Sequence, residues 1–221
     1  MNSRTIENYL KALYRRGKEH PEESVNLGVI ADDLGVTPGT VTQMMKHLAE
    51  RELVRYQSRR GAALTKLGEK MALNIIRRHR LMELFLVDIV GMDWADVHEE
   101  AEELEHVVSE RFVNRMDEML GHPVRDPHGA PIPSASGEIQ PGSAQALSGC
   151  AAGTYYLVQV VEESADFLSW LAARKLFPGT VFELVESDAV GGTLELCLRE
   201  SRKTVLMNFE AAENLLVSVE A

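Results

Sequence analysis

The sequence predicts a mainly α-helical protein with a small β component: a winged helix-turn-helix, a helical middle domain and a C-terminal SH3-like barrel. Three observations predict this class. Apolar residues recur at helical spacing through much of residues 3–120. A short polar hairpin follows a helix–turn–helix pattern near the N-terminus. After residues 121–149, which hold five prolines and five glycines, the pattern changes to short strand-like runs.

The N-terminal region contains three predicted helices and a hairpin. Residues 3–17 place their apolar side chains on one helical face, and residues 27–34 form a shorter helix closed by Gly35. In the turn GVTPGT, Thr37 can cap a third helix and Pro38 suits its first position; this helix continues to about Arg51. The strand-like segments LVRYQ and AALT flank the polar tip SRRG, so this pair predicts a wing.

The rest of the chain predicts two long helices, a linker and a β domain. One helix runs from Thr65 to about Val90, where Gly91 ends it, and a second covers about 94–120. The linker, 121–149, is expected to be partly extended and partly disordered. Four strand-like segments and one helix then fit a small SH3-like barrel of about 70 residues. We therefore expect three domains: 1–72, the winged helix-turn-helix; 73–140, the helical domain with the proline-rich linker; and 141–221, the SH3-like domain.

Composition and charge indicate a soluble globular protein with a basic N-terminal part. Hydrophobic residues make up 45% and charged residues 26%, and no apolar run approaches the roughly 20 residues that span a bilayer. With no secretory signal pattern, we expect a cytoplasmic protein. The net charge is −11, yet residues 1–80 carry 15 Lys and Arg against 9 Asp and Glu. Cys150 and Cys197 lie 47 positions apart without a CxxC pair, which disfavours a thiolate site.

The start of the third helix and the wing tip carry a pattern typical of DNA recognition. A helix that enters the major groove presents small polar residues in its first turn. Gln43 can make a bidentate contact to adenine, and threonine methyl groups suit the methyl group of thymine. The alternative is a simple helix cap beside a solvated turn. The candidate DNA-binding residues are Thr37, Gly39, Thr40, Thr42, Gln43, Arg59 and Arg60.

Histidine and glutamate recur at helical spacing in the two long helices. His79 and Glu83 are four residues apart, so they share one helical face. The second helix carries a face of four such residues: His98, Glu102, Glu105 and His106. Imidazole and carboxylate ligands without thiolate suit Mn²⁺ or Fe²⁺, and they would also bind Zn²⁺ or Co²⁺. The alternative is a solvated acidic face.

The motifs in combination resemble the diphtheria toxin repressor family, which includes iron- and manganese-responsive regulators. The resemblance extends over essentially the whole chain. It rests on TIENYLKALY, GVTPGTVTQMMKHLAERELV, LTKLGEK, RRHRLMELFL, VHEEAEELEHVVSE, DPHGAPIP and the terminal SH3-like segment.

The resemblance implies two metal sites. An ancillary site would use His79, Glu83 and His98, completed by a residue of the SH3-like domain for which Gln159, Glu162 and Glu163 are candidates. A primary site would use Glu102, Glu105, His106 and Asn8. Glu102 stands where iron-responsive members carry cysteine, which favours the manganese-responsive branch. Asn8 can offer only a carbonyl oxygen and Lys11 cannot ligate while charged, so we expect two separated sites. His128 is expected to pack or to form hydrogen bonds.

We interpret the sequence as a metal-dependent DNA-binding repressor of metal-uptake genes, with Mn²⁺ or Fe²⁺ as co-repressor and Zn²⁺, Co²⁺ or Cd²⁺ as substitutes in vitro. Its expected partners are double-stranded operator DNA and a second copy of the chain, with no membrane and no small-molecule substrate. One rival is a winged-helix regulator that binds an organic ligand. The other is a metalloenzyme, which is disfavoured because the sequence has no nucleophile–base pair and no phosphate-binding glycine loop.

Overall fold

The computed structural model describes residues 3–19, 24–140 and 142–220. The chain divides into two compact units. Unit 1 comprises Met1–His79, Glu105–Val108 and Pro133–Ile139. Unit 2 comprises Arg80–Leu104, Ser109–Ile132 and Gln140–Ala221.

Unit 1 contains the predicted winged helix-turn-helix. Its helices are α1 (Ser3–Glu19), α2 (Leu27–Asp33) and α3 (Pro38–Glu50), and α4 (Lys66–Phe85) begins here. Asn26 and Thr37 cap α2 and α3 through their side-chain oxygens, which accept from Gly28 N and Thr40 N. The wing pairs β1 (Val54–Gln57) with β2 (Gly61–Leu64) in antiparallel register. The buried core includes Leu10, Leu13, Ile30, Met44, Met45 and Leu48.

The first long helix is close to the prediction. It is α-helical over Lys66–Phe85 and changes to a π-helical turn over Leu86–Val90. Gly91 then adopts a φ of 81°, and its N–H donates to the Leu86 carbonyl. A left-handed glycine after the last turn is a common helix terminator, so the predicted stop at Gly91 is confirmed.

The second long helix was predicted incorrectly as one continuous element. The structure has two helices instead, α5 (Val97–Leu104) and α6 (Glu110–Met119). Ser109 has extended backbone angles, and its side-chain oxygen accepts from Phe112 N, so it starts a new helix. Glu105 and His106 therefore lie in the connection between the helices and not on a continuous helical face.

Unit 2 carries one six-stranded antiparallel sheet in the order β3-β8-β4-β5-β6-β7. Its strands are β3 (Gln145–Ala146), β4 (Gly153–Val160), β5 (Val181–Asp188), β6 (Thr193–Leu198), β7 (Thr204–Asn208) and β8 (Leu215–Val219). Two helices, α7 (Ala165–Ala173) and α8 (Phe209–Glu213), interrupt them. Phe182, Leu157 and Leu184 lie in a continuous apolar core. The predicted fold class is confirmed, with an SH3-like domain whose strands, over the described residues, form an open sheet.

The proline-rich segment is more ordered than the sequence indicates. An Asp126 carboxylate oxygen accepts from His128 N and Ala130 N, each at 2.9 Å, and Arg125 forms a β-bridge with Pro131. The His128 carbonyl accepts from Val160 N at 2.8 Å, so this segment docks on β4. None of the helices among the described residues is both long and apolar enough to cross a bilayer.

Candidate functional site

The predicted DNA-reading turn lies at the surface of unit 1. Thr37, Thr40 and Gln43 are exposed at the start of α3, and Thr42 is partly exposed. The Thr42 hydroxyl donates to the Pro38 carbonyl at 2.9 Å, and the hydroxyls of Thr37 and Thr40 are 2.9 Å apart. These hydroxyls therefore stabilise the helix start, while Gln43 is exposed. This arrangement accommodates both the capping interpretation and the DNA-contact interpretation.

The wing tip presents two cations. Arg59 and Arg60 are both exposed, and Arg59 adopts a φ of 66° in the turn. Arg60 N donates to the Gln57 carbonyl at 3.0 Å, which closes the hairpin. Within the described ranges neither guanidinium forms an ion pair, so both are available for phosphate contacts.

Glu105 is the centre of a buried charged cluster in unit 1. Its side chain is fully buried. One carboxylate oxygen, Oε1, lies 2.9 Å from Lys11 Nζ, and the other, Oε2, accepts from His79 Nδ1 at 2.7 Å. Burial raises the pKa of Glu105, but the hydrogen bond from His79 and the charge of Lys11 outweigh burial. The pKa therefore lies below its usual value, and Glu105 is ionised at neutral pH.

The same cluster contains His106 and Glu7. His106 Nδ1 lies 2.7 Å from Glu7 Oε2, and its Nε2 lies 3.4 Å from Glu105 Oε1. Arg78 contacts both acidic residues, at 3.4 Å from Glu7 Oε1 and at 3.1 Å from the Glu105 carbonyl oxygen. Glu7 was not among the predicted ligands, although it lies four residues before Lys11 on α1 and directly before Asn8.

Two buried polar atoms of unit 1 are further candidate ligand atoms. Among the described residues, Asn8 Oδ1 and His106 Nε2 have no hydrogen-bond partner. A buried polar atom without a partner is destabilising, so a ligand that satisfied either atom would be stabilising. Glu105 Oε1 lies 3.4 Å from His106 Nε2 and supplies the negative charge that a cation requires.

A second cluster lies in unit 2 around His98. Its Nδ1 lies 3.0 Å from Glu83 Oε1 and 3.2 Å from Glu163 Oε2, and its Nε2 lies 3.9 Å from Glu102 Oε1. Of the three candidates in the SH3-like domain, the structure therefore brings Glu163 to His98. Glu162 is exposed and accepts from Ser164 N. Gln159 lies in β4, in register with Leu216.

The predicted site residues are thus distributed over both units. Asn8, His79, Glu105 and His106 belong to unit 1. Glu83, His98 and Glu102 belong to unit 2. There His98 Nε2 lies 3.9 Å from Glu102 Oε1. The resemblance grouped His79 with Glu83 and His98, and in unit 1 the His79 side chain contacts Glu105.

Two buried residues of the DPHG segment extend the cluster in unit 2. One donor atom from each of Glu83, Asp126 and His128 lies within 4.8 Å of the other two, and all three residues are buried. His128 Nε2 donates to the Trp94 carbonyl at 2.9 Å, and the two rings are 5.3 Å apart. His128 therefore packs and forms a hydrogen bond as predicted, while its Nδ1 lies 4.0 Å from Glu83 Oε1.

Asp126, which was not among the predicted ligands, could also hold a cation together with Glu83 and His128. Burial, followed by the charge of Glu83, raises the pKa of Asp126 well above its usual value, although Arg80 opposes this from 3.4 Å. Among the described residues, Asp126 Oδ2 and His128 Nδ1 have no hydrogen-bond partner. A cation between them would neutralise the repulsion of two buried carboxylates. Two carboxylates and an imidazole favour Mn²⁺ or Fe²⁺ over soft metals.

Two models of known protein families match the N-terminal region and the helical region of the chain. Residues 1–62 match the family model described as "Iron dependent repressor, N-terminal DNA binding domain". Residues 65–134 match "Iron dependent repressor, metal binding and dimerisation domain".

Curated relatives match the same part of the chain. The iron-dependent repressor IdeR of Mycobacterium leprae is 37% identical over 131 residues, which is 58% of this chain and 55% of the relative. The diphtheria toxin repressor of Corynebacterium diphtheriae is 37% identical over 131 residues, 58% of this chain and 56% of the relative. The matched part thus spans little more than half the length of these curated relatives.

Solved structures match almost the entire chain. A manganese-dependent transcriptional repressor in complex with manganese has a TM-score of 0.88 at 31% identity, over 97% of this chain and all of that chain. ScaR with bound Zn²⁺ has a TM-score of 0.80 at 33% identity, over 97% of this chain and 99% of that chain. The chain therefore belongs to the iron-dependent repressor family, together with the diphtheria toxin repressors.

Proposed function

We propose that this protein is a metal-dependent DNA-binding transcriptional repressor, with Mn²⁺ or Fe²⁺ as co-repressor, and that it controls genes for metal uptake. The observation that carries the proposal is the group formed by Glu83, Asp126 and His128. Two neighbouring buried carboxylates require compensating positive charge. Arg80 supplies part of it at 3.4 Å from Asp126, and a bound divalent cation would supply the rest. A chain that carries both this group and an exposed DNA-reading helix is suited to couple metal binding to DNA binding.

Two groups of residues would hold the metal. In unit 1 they are Asn8, Glu105 and His106, with Glu7 and His79 orienting the other side chains. In unit 2 they are Glu83, His98, Glu102, Glu163, Asp126 and His128. The hard oxygen ligands favour Mn²⁺ or Fe²⁺. Zn²⁺ and Cd²⁺, which are bound in solved structures of ScaR, are expected to substitute in vitro, as is Co²⁺.

The coupling follows from the position of α1. Glu7, Asn8 and Lys11 lie on this helix, and its residues Leu10 and Leu13 pack in the core of the helix-turn-helix. A bound cation supplies positive charge that draws the buried oxygens together. Any change in how α1 holds Glu105 and His106 is therefore transmitted to α2 and α3. Metal that binds the DNA-competent arrangement more tightly raises DNA affinity, and DNA raises metal affinity by the same factor.

The proposed partners follow from the same family. We infer that a homodimer reads palindromic operator DNA, because a two-fold protein matches a two-fold site. We place the dimer contact in residues 65–134, which match the model described as "metal binding and dimerisation domain". We propose no enzymatic activity, no small-molecule substrate and no membrane partner. Since the partner is chromosomal DNA, we expect the protein in the cytoplasm. We retain the domains 1–72, 73–140 and 141–221 as working boundaries.

A DNA-binding titration at constant salt, with and without Mn²⁺, tests the proposal. The wild type should bind its promoter at least tenfold more tightly with Mn²⁺, a coupling of about 1.4 kcal/mol. Glu105→Gln and Asp126→Asn should each lose most of this response, because each removes a charged oxygen donor. Glu99→Gln, which changes an exposed residue on α5, is the matched control and should respond like the wild type. Equal affinity of the wild type with Mn²⁺ and with a chelator would reject the proposal and favour an organic effector.

A further inference from the structure

Lys11 is an unusually buried lysine. Only 5% of the residue is exposed, and its ammonium group lies 2.9 Å from Oε1 of the fully buried Glu105. Lysine is almost never buried unless its charge is paired, because its ammonium group is strongly hydrated in water. Oε2 of the same carboxylate accepts from His79 Nδ1 at 2.7 Å. Both oxygens of Glu105 are therefore engaged within unit 1.

These contacts bring charges of both signs together around Glu105. Glu7 and Glu105 contribute two negative charges, and Lys11 and Arg78 contribute two positive charges. A divalent cation at Glu105 would add positive charge next to the Lys11 ammonium group. In a region of low dielectric constant, two cations a few ångströms apart repel each other strongly. Glu105 Oε1, which the ammonium group contacts, also lies 3.4 Å from His106 Nε2. A metal ion held by Glu105 and His106 would therefore compete with the ammonium group for this oxygen.

We propose that Lys11 competes with the metal ion for Glu105 Oε1, so that it raises the metal concentration at which this site fills and restricts the site to one divalent cation. The ammonium group holds Glu105 until the metal displaces it. Lys11 is thus a positioning residue that sets the threshold of the response. This inference rests on the proposed function, because it concerns the same site.

Direct Mn²⁺ binding to the full chain tests this role without any DNA readout. Competition with a fluorescent chelator gives the affinity and the number of ions, and the electron paramagnetic resonance of Mn²⁺ reports whether two ions are close together. Lys11→Gln and Lys11→Met should bind Mn²⁺ at least tenfold more tightly at the Glu105 site. Lys11→Glu should bind one additional ion per chain and show coupling between two ions. Lys11→Arg keeps the positive charge, so its Mn²⁺ affinity should stay within threefold of the wild-type affinity.

The control variant is Lys18→Met, which removes a positive charge from an exposed position of the same helix and should not alter the affinity. In a Glu105→Gln background, Lys11→Gln should have no further effect, because the competition needs the carboxylate. Thermal unfolding with and without Mn²⁺ shows that each variant folds. With chelator present, the Tm of Lys11→Gln should be lower than that of the wild type. Addition of Mn²⁺ should raise the Tm of Lys11→Gln by more than it raises the Tm of the wild type.

The outcomes separate this inference from the proposed function. If the wild type binds Mn²⁺ through Glu105 but the Gln and Met variants bind it with unchanged affinity, the competition by Lys11 is wrong and the metal sensor remains. If the wild type binds no stoichiometric Mn²⁺ and Glu105→Gln does not alter Mn²⁺ binding, the proposed function itself is wrong. Tighter binding in the uncharged variants, abolished by Glu105→Gln, supports the inference.

Discussion

At the scale of single residues, two of the candidate ligands are histidines, and in each a neighbouring oxygen atom determines which ring nitrogen carries the proton. His128 Nε2 must carry its hydrogen because it donates to the Trp94 carbonyl, which leaves the Nδ1 lone pair facing Glu83. His106 shows the opposite assignment, since Nδ1 donates to Glu7 and Nε2 remains free to ligate. An oxygen acceptor that fixes the tautomer is the usual surrounding of a metal-bound histidine. These two residues are therefore oriented for ligation by contacts of the chain itself.

Gly129 provides a residue-scale test of how the DPHG segment is held in place. It has a φ of 87°, and a Cβ built there would lie 2.0 Å from the Val158 carbonyl oxygen of β4. Gly129→Ala should lower the free energy of unfolding by about 2–4 kcal/mol, because it combines backbone strain with a steric overlap. Urea unfolding measures this loss. Gly149→Ala is the control, since a Cβ there meets nothing within 4 Å. Equal stability of the two variants would show that Gly129 does not approach β4.

At the scale of helices, an ion pair links the first two helices of unit 1. Arg16 near the end of α1 donates to both carboxylate oxygens of Asp33 on α2, at 2.8 and 2.5 Å. This bidentate pair joins α1, which carries Glu7, Asn8 and Lys11, to the first helix of the helix-turn-helix. Its two side chains are 36% and 25% exposed, so we expect only a small contribution to stability.

The pH dependence of this helix pair has a defined sign. The hydrogen bond from Arg16 lowers the pKa of Asp33, and the charges of Arg16 and Arg15 act in the same direction against burial. A carboxyl group with a lowered pKa in the folded state stabilises the fold above its unfolded pKa of about 4, and the contribution is lost as the pH falls through the folded pKa.

Asp33→Asn should therefore reduce the free energy of unfolding by up to about 1 kcal/mol at pH 7, and the difference from wild type should shrink below about pH 4. Urea titrations at several pH values measure this difference. Asp32→Asn changes an exposed neighbour and serves as the control. A difference that grows towards acidic pH would contradict the assigned pair.

At the scale of the whole molecule, the proposed function depends on a second copy of the chain. The matched dimerisation segment exposes large apolar side chains on α6, with Phe112 44% and Met119 50% exposed. Exposed apolar side chains of this size are common where proteins associate. Phe112 is also in edge-to-face contact with Phe85, at 6.1 Å between ring centroids. We infer that α6 contributes to the dimer contact.

The double variant Phe112→Ser with Met119→Ser should sediment as a monomer at micromolar concentration, where the wild type should sediment as a dimer. The reason is the loss of apolar area that would be buried between the two copies. Sedimentation velocity separates the two states. Leu206→Ser removes an equally apolar side chain, 63% exposed on β7, and should leave the dimer intact. If the double variant still sediments as a dimer, the dimer contact does not depend on these two side chains of α6.

Local patterns in the sequence determined most of the secondary structure. The helix-turn-helix, the Thr37 cap, the wing and the stop at Gly91 were all predicted, because each depends on residues only a few positions apart. The break before Ser109 was missed, since the apolar spacing continues through it and only the serine cap indicates a new helix.

The sequence by itself thus determined the elements, the family resemblance and the residue types suited to a hard cation, since these follow from spacing and composition. Only the tertiary structure decided which distant residues meet: Glu163 at His98, Glu7 at His106, and Asp126 and His128 at Glu83. It also revealed that Lys11 occupies an oxygen of Glu105, 94 positions away along the chain. Such contacts depend on how helices and loops pack, and packing joins positions whose separation carries no periodic signal.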